Sequence, residues 1–296
     1  MRKGRASETA SQAAVLRAAH AAMDHPPIFN DNLAGALCGL RDTAEILEAV
    51  KTLERRQAAH GSAHVVEAWI RAAKASVVVR AVWSEECLLQ AVGRGDISQY
   101  VILGAGMDSF AYRRPDLASR LRVFEVDHPD TQAFKQTRLR EIGTEIPPHL
   151  TYVPLDFESA SLLEILERRG YRRDLPAYFS LLGVAIYLSS DGVGRMLRDI
   201  AAAAAGSEVV LNYVVPPHLL NEEEREVQRL LESWISQSGE PHRSYFEPAQ
   251  IEALLYELGF SEVSQLRAEE ATARYLPGRS DGLRVSGLTT LLQAKV

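Results

Sequence analysis

From about residue 8 to residue 95, apolar side chains recur at intervals of three and four, as in TAEILEAVKTLERRQAAH (43–60) and SAHVVEAWIRAAKASVVVRAVWSEECLLQAV (62–92). That interval keeps one face of a helix apolar, so the first third of the chain is expected to be helical. The stretch DHPPIFNDNLAG (24–35) breaks the first helix, because Pro26 and Pro27 lack the amide hydrogen that a helix interior needs. After GRGD (93–96) the period changes. Short runs rich in β-branched and aromatic residues follow: YVILG (100–104), RVFEVD (122–127), LTYVPLD (150–156), AYFSLLG (177–183) and SEVVLNYVV (207–215). Each is apolar almost throughout, as expected of strands covered on both faces, and helix-like windows separate them. The alternation predicts a parallel, doubly wound α/β sheet.

The segment SSDGVGRMLRDIAAAAAG (189–206) reads as a helix with Ser189 or Ser190 as N-cap and Gly206 as its stop. A charged helix and a polar loop (216–247) then precede the helix AQIEALLYELGF (249–260), and such an insertion after the fifth strand could cover a site. SEVSQLRA (261–268) and LRVSGLTTLLQAKV (283–296) are two further strand candidates that could close the far edge of the sheet. The expected layout is one compact domain: an N-terminal helical cap over 1–95 and an α/β core over 96–296 with the insertion at 216–247.

Charge and composition narrow the function by exclusion. A net charge of -6 argues against a basic footprint for nucleic acid or an anionic membrane, which leaves a small molecule as the expected partner. Cys38 and Cys87 are the only cysteines and form no CxxC, so a reduced, cytoplasmic setting is expected. No apolar run approaches the length of a membrane span, and Glu8, Arg17 and His20 interrupt any signal-like core near the start. His60 and His64 stand four apart, but Gly61 weakens the helix and no glutamate adjoins, so no metal is expected.

Candidate chemistry begins at Gly104-Ala105-Gly106, where an apolar run stops in a glycine turn. In open α/β sheets ligands sit beyond the carboxyl ends of the strands, and a glycine pair there serves either packing or close approach of backbone to a ligand. The dinucleotide fingerprint wants a third glycine where this chain has Ser109, which counts against a nicotinamide oxidoreductase, the rival enzyme class. Glu125 and Asp127 close the next strand, placed to accept from ribose hydroxyls. Asp156 and Phe157 add a polar hook and an aromatic face such as an adenine could use. Three such strand ends together point to a nucleoside ligand.

The segments VVVRAVW (77–83), VILGAGMDSFAYR (101–113), VFEVDHPDTQAFKQTRL (123–139), YVPLDF (152–157), LGVAIYLS (182–189), SGEPHRSYFEPAQIEALLYELGF (238–260) and ARYLPGRSDGLR (273–284) occur in this order. They resemble the leucine carboxyl methyltransferase-like group of S-adenosylmethionine-dependent O-methyltransferases, which includes bacterial members acting on polyketide carboxylates. The resemblance implies a class I methyltransferase fold, Rossmann-like, with a seven-stranded sheet, an antiparallel last strand and helices covering the cofactor. It implies that Arg80 pairs with the methionyl carboxylate, that Gly104, Ala105 and Gly106 line the methionyl part, and that Asp127 holds the ribose with Glu125 beside it. Asp156 and Phe157 would flank adenine, and Tyr187 would stand near the reacting methyl and the acceptor. Leu182 joins the cofactor-lining set at a position where phosphatase-modifying relatives carry glutamate, a departure that favours a small metabolite over a protein tail. Asn32 replaces the usual proline, so a different bend is expected there.

Methyl transfer from a sulfonium is an in-line displacement, so the protein mainly aligns the reactants and excludes water. A carboxylate acceptor is already ionised at neutral pH, whereas a hydroxyl needs a general base. His242 is the candidate base, and Arg243 beside it could pair with an acceptor carboxylate. Two other readings stay open: a protein C-terminal carboxyl methyltransferase, and a non-catalytic module that binds the cofactor or a partner. The sequence leaves monomer and homodimer equally open.

Overall fold

The computed structural model describes residues 7–157, 161–238 and 243–296. Four helices come first: α1 (Glu8–Met23), the short α2 (Ala34–Leu37), α3 (Thr43–Ala58) and α4 (Ala63–Arg94). The starts of α1, α3 and α4 are capped by side chains: Ser7 accepts from the Ala10 N–H, Asp42 from Glu45 and Ser62 from Val65, each satisfying a donor that the helix itself leaves open. Gly95 ends α4 with φ at +89°, a left-handed conformation suited to glycine.

The rest alternates. β1 (Gln99–Leu103), α5 (Phe110–Arg113), β2 (Arg122–Asp127), α6 (Pro129–Glu141), β3 (Leu150–Pro154), α7 (Leu162–Arg168), β4 (Ala177–Leu181), α8 (Ser190–Ala201) and β5 (Glu208–Val214) follow in turn. After them come α9 (Glu222–Ser238), α10 (Pro248–Glu257), β6 (Glu262–Leu266), α11 (Ala268–Tyr275) and β7 (Thr289–Lys295). Among the described residues the strands form one seven-stranded sheet in the order β3-β2-β1-β4-β5-β7-β6. β1 to β5 are parallel, and β7 runs antiparallel between β5 and β6. The expected architecture, with its antiparallel last strand, is what the sheet shows. The tail strand is shorter than its apolar pattern predicts: the residues before Thr289 are held instead by α9, with the Gly287 N–H donating to Glu224 at 2.6 Å.

Strand alternation splits the core in two. Val101, Leu103, Phe124, Val126, Phe179 and Leu181 face one side of the sheet and belong to a cluster with Leu166 of α7 and Leu197 of α8 that continues into the helical layer at Leu16, Leu53 and Trp69. Tyr100, Ile102, Val123 and Tyr178 face the other, against Trp83, Cys87, Leu88 and Val92 from the second half of α4. With 1.5 Å per residue, α4 is about 48 Å long, which lets it serve both layers. The strand order reverses between β1 and β4. The loops after these two strands therefore part and leave room above the sheet.

Candidate active site

A cavity of about 670 Å³ opens at that reversal, floored by the loops after β1, β2, β3 and β4 and walled by α1, α4 and α9. Its size suits a whole small molecule. Gly104, Ala105, Gly106, Asp127, Asp156, Phe157, Leu182, Tyr187, Arg243 and Arg80 all line it.

The glycine turn is held from two sides. Gly104 and Gly106 have φ of +69° and +50°, where other residues are strained. A Cβ at Gly104 would land inside Val184, and one at Gly106 would stand 2.8 Å from the Ala10 Cβ on α1. Both glycines thus admit protein neighbours as well as exposing backbone to the cavity. Ser109, in place of the third glycine, donates to Asp31 at 2.8 Å and so ties the turn to the helical layer.

Asp31 is a buried hub that the motifs did not single out. Its carboxylate takes Arg17 Nε at 2.8 Å and the Ala34 N–H at 3.1 Å, and Arg113 lies 3.7 Å away. Burial pushes its pKa up, but Arg17, Arg113 and the Ser109 hydroxyl outweigh this and hold it below the usual range. Arg17 also donates to the Met107 carbonyl at 2.7 Å, so one guanidinium joins α1, Asp31 and the glycine turn. The available signal was an acid inside the apolar stretch PPIFNDNLAGAL, but its partners lie far along the chain.

Arg80 has a different status. It lines the cavity and makes no hydrogen bond or ion pair among the described residues. Burial, reinforced by the like charge of Arg17 and opposed by Tyr187, lowers its pKa to about 10, so it stays charged at neutral pH. A desolvated cation without an anion calls for one. Gly183, with φ at +71°, makes room for it: a Cβ there would stand 2.9 Å from both terminal guanidinium nitrogens. The Gly183 N–H donates to Asn212 Oδ1 at 2.6 Å. Asn212, also on the cavity wall, is a second residue missed from the sequence, although a lone amide in VVLNYVV is a readable signal.

The two acids of β2 part company. Asp127 reaches the cavity and accepts from the Gly106 and His128 N–H groups, each at 2.6 Å. Burial raises its pKa against those two donors. Glu125 is placed away from the cavity lining: it is fully buried and takes Lys135 Nζ from α6 at 2.6 Å, with burial raising its pKa to about 7 against that cation. The structure thus brings Asp127 but not Glu125 to the cavity, and the Glu125 carboxylate instead links β2 to α6.

Tyr187 ends the short turn Ala185–Tyr187, and its position favours the charge on Arg80. The Arg243 N–H donates to the Ile186 carbonyl at 2.8 Å and Ser244 Oγ donates to Ala185 at 2.8 Å, which lays the polar loop across that turn. His242 lies outside the described residues. His60 sits before α4 and His64 within it, and no group of three or more His, Cys, Asp or Glu among the described residues is placed to hold a metal.

Residues 10–201 match the family model for leucine carboxyl methyltransferase. The chain is 30% identical over 295 residues to YktD of Bacillus subtilis (strain 168), whose name carries the words S-adenosyl-L-methionine-dependent methyltransferase; the match covers 96% of this chain and 95% of that one. Among solved structures, a DUF574 family protein from Streptomyces avermitilis MA-4680 has a TM-score of 0.60 at 18% identity, covering 88% of this chain and 94% of that chain. A protein from Thermobifida fusca YX named as a methyltransferase has a TM-score of 0.59 at 18% identity, covering 99% and 96%. These two likenesses concern the fold. The match over most of this sequence, and along almost its whole length to YktD, makes the chain a member of the leucine carboxyl methyltransferase family.

Proposed function

We propose that this chain transfers a methyl group from S-adenosyl-L-methionine to an oxygen of a small molecule, a carboxylate in preference to a hydroxyl, on an apolar, polyketide-like metabolite. The observation that carries the reading is Arg80: a buried guanidinium facing the cavity without a protein anion, with Gly183 leaving the space it crosses. A carboxylate on the amino-acid part of the cofactor supplies that anion in a geometry a guanidinium fork favours.

When bound, the cofactor supplies an electrophilic methyl on a sulfonium. The chain's own residues then bind, orient and exclude water. Arg80 holds the carboxylate, and the turn Gly104-Ala105-Gly106 offers backbone beside it. Asp127, fixed by two backbone donors, keeps lone pairs for ribose hydroxyls. Asp156 and Phe157 offer an acceptor and a ring face to the base, and Leu182 adds apolar lining. Tyr187 and Arg243 border the acceptor side, where a guanidinium can orient a carboxylate. Such an acceptor needs no proton removed, so orientation by the wall is enough.

No helix among the described residues is long and apolar enough to cross a membrane. With Cys38 and Cys87 both thiols, we place the reaction in the reducing cytoplasm. The test is incubation with methyl-labelled S-adenosylmethionine and a panel of aliphatic and aromatic acids beside matched alcohols. Label in methyl esters supports the reading. Label in ethers alone, or in none of the panel, counts against it.

A further inference from the structure

Resting on the reading just given, we infer that the acceptor is a carboxylic acid with an elongated apolar body that lies along α4, and that Trp69 is the stop that sets its length. Trp69, Ala73, Ser76 and Arg80 all line the cavity. Counted from Trp69 they follow at four, seven and eleven residues, and eleven residues return to within about 20° of the same helical face. One face of α4 therefore runs along the cavity for roughly 16 Å between Arg80 and Trp69. Trp69 is the first residue of α4 on that lining and is 4% exposed.

The two directions from Arg80 differ in chemistry. Toward the C-terminal end of α4 the lining turns polar, with Glu85 and the pair Tyr100 and Ser180, whose hydroxyls bond at 3.0 Å. Toward Trp69 it is apolar: Leu16 of α1, Leu53 of α3, and Val227 and Leu231 of α9 join the α4 face. α9 follows α4 in the opposite sense. Its Glu224 holds Gly287, two residues before Thr289, whose hydroxyl meets Ser76 Oγ at 3.4 Å; at the other end, a Cβ at Gly61, just before α4, would stand 3.2 Å from Leu230 Cδ1. The α9 wall thus continues from the middle of α4 to its start. Along this wall Ala73 contributes only a methyl group, whereas Trp69 contributes an indole where the α4 lining ends. An apolar body laid here, with its carboxylate at the methyl donor, leaves water along its length, and the gain from burial ends where Trp69 stands.

The probe is the series hexanoic, octanoic, decanoic, dodecanoic and tetradecanoic acid, titrated calorimetrically into the full chain saturated with S-adenosylhomocysteine. Affinity should rise about tenfold for each two-carbon step while the added methylenes find apolar wall, and should stop rising at the acid whose end reaches Trp69. Trp69→Leu, which keeps the position apolar but removes the indole, should move that limit to a longer acid. Ala73→Leu, which adds bulk between Trp69 and Arg80, should move it to a shorter one. Both variants should bind S-adenosylhomocysteine with wild-type affinity, which also reports that they are folded. No binding of any of the five acids, an affinity that climbs through the whole series, or a limit left in place by either folded variant overturns the inference. Methyl esters formed from these acids with an unmoved limit would remove Trp69 as the stop and leave carboxyl methylation standing. A limit that moves in both variants without methyl ester formation from S-adenosylmethionine would leave the length subsite standing and remove the carboxyl-methylation reading instead.

Discussion

Arg80 crosses Gly183 so closely that a Cβ at residue 183 would stand 2.9 Å from both terminal guanidinium nitrogens. α4 and the loop after β4 come together at this point, and the space between them is shaped by the absence of one methyl group. Gly183→Ala should therefore displace Arg80 and strain a backbone at φ +71°, at a stability cost of about 1 kcal/mol. Affinity for S-adenosylhomocysteine should fall at least tenfold, and Arg80→Ala should lose at least as much. Arg80→Lys should recover only part, because an ammonium cannot reproduce the two-pronged contact. Calorimetry on folded variants checks all three, and wild-type affinity in Gly183→Ala would detach Arg80 from the cofactor.

Asp127 and Glu125, two residues apart, should separate cleanly by experiment. Asp127→Asn removes a cavity-facing carboxylate and should weaken S-adenosylhomocysteine binding about tenfold. Glu125→Gln should leave affinity within about twofold but lower stability by about 3 kcal/mol, since Lys135 is left buried without its anion. Thermal unfolding beside calorimetry reads both. A Glu125 variant that stays stable but loses affinity would return that acid to the ribose.

Asp31 should behave as a pH-dependent clasp. Its folded pKa lies below its ordinary value, so its contribution is fully present above about pH 5 and is lost as pH falls through the lowered folded value. At pH 7, Asp31→Ala leaves Arg17 and Arg113 without their shared carboxylate and should cost about 3 kcal/mol. Urea unfolding of both proteins between pH 7 and pH 3 should show the gap narrowing on acidification. A gap that is constant with pH would mean that charge is not what Asp31 contributes.

The pH dependence of turnover distinguishes the two acceptor chemistries. A carboxylate is fully ionised from about pH 6 upward, so kcat/KM should be flat from about pH 6 to 8.5. A hydroxyl acceptor served by a histidine base would instead rise across that histidine's pKa. A rising limb lost on mutation of His242 would favour the hydroxyl.

The parallel strands were legible because their runs are apolar throughout, a pattern that few other elements share at such lengths. The tail was misjudged in length: Leu283 and Val285 are apolar enough for a strand, but Glu224 on α9 takes the Gly287 N–H that would continue the ladder. Of the site, the glycine turn and Asp127 could be read locally, since each sits at the end of an obvious strand. Arg80 needed the family resemblance, because one arginine inside a 32-residue helix carries no local mark. Arg17 and Asp31 escaped because their work is done across the fold, with Arg17 bonding Met107 90 residues away. The Lys135 partner of Glu125 was not legible, because strand alternation states that two residues share a face without saying what will be waiting there.

One titration decides whether this cavity is an S-adenosylmethionine site. S-adenosylmethionine and S-adenosylhomocysteine should each bind the purified chain, with NAD silent under the same conditions, and Arg80→Ala should weaken both. Binding of NAD in their place, or no heat from either sulfur ligand with protein shown to be folded, would contradict it.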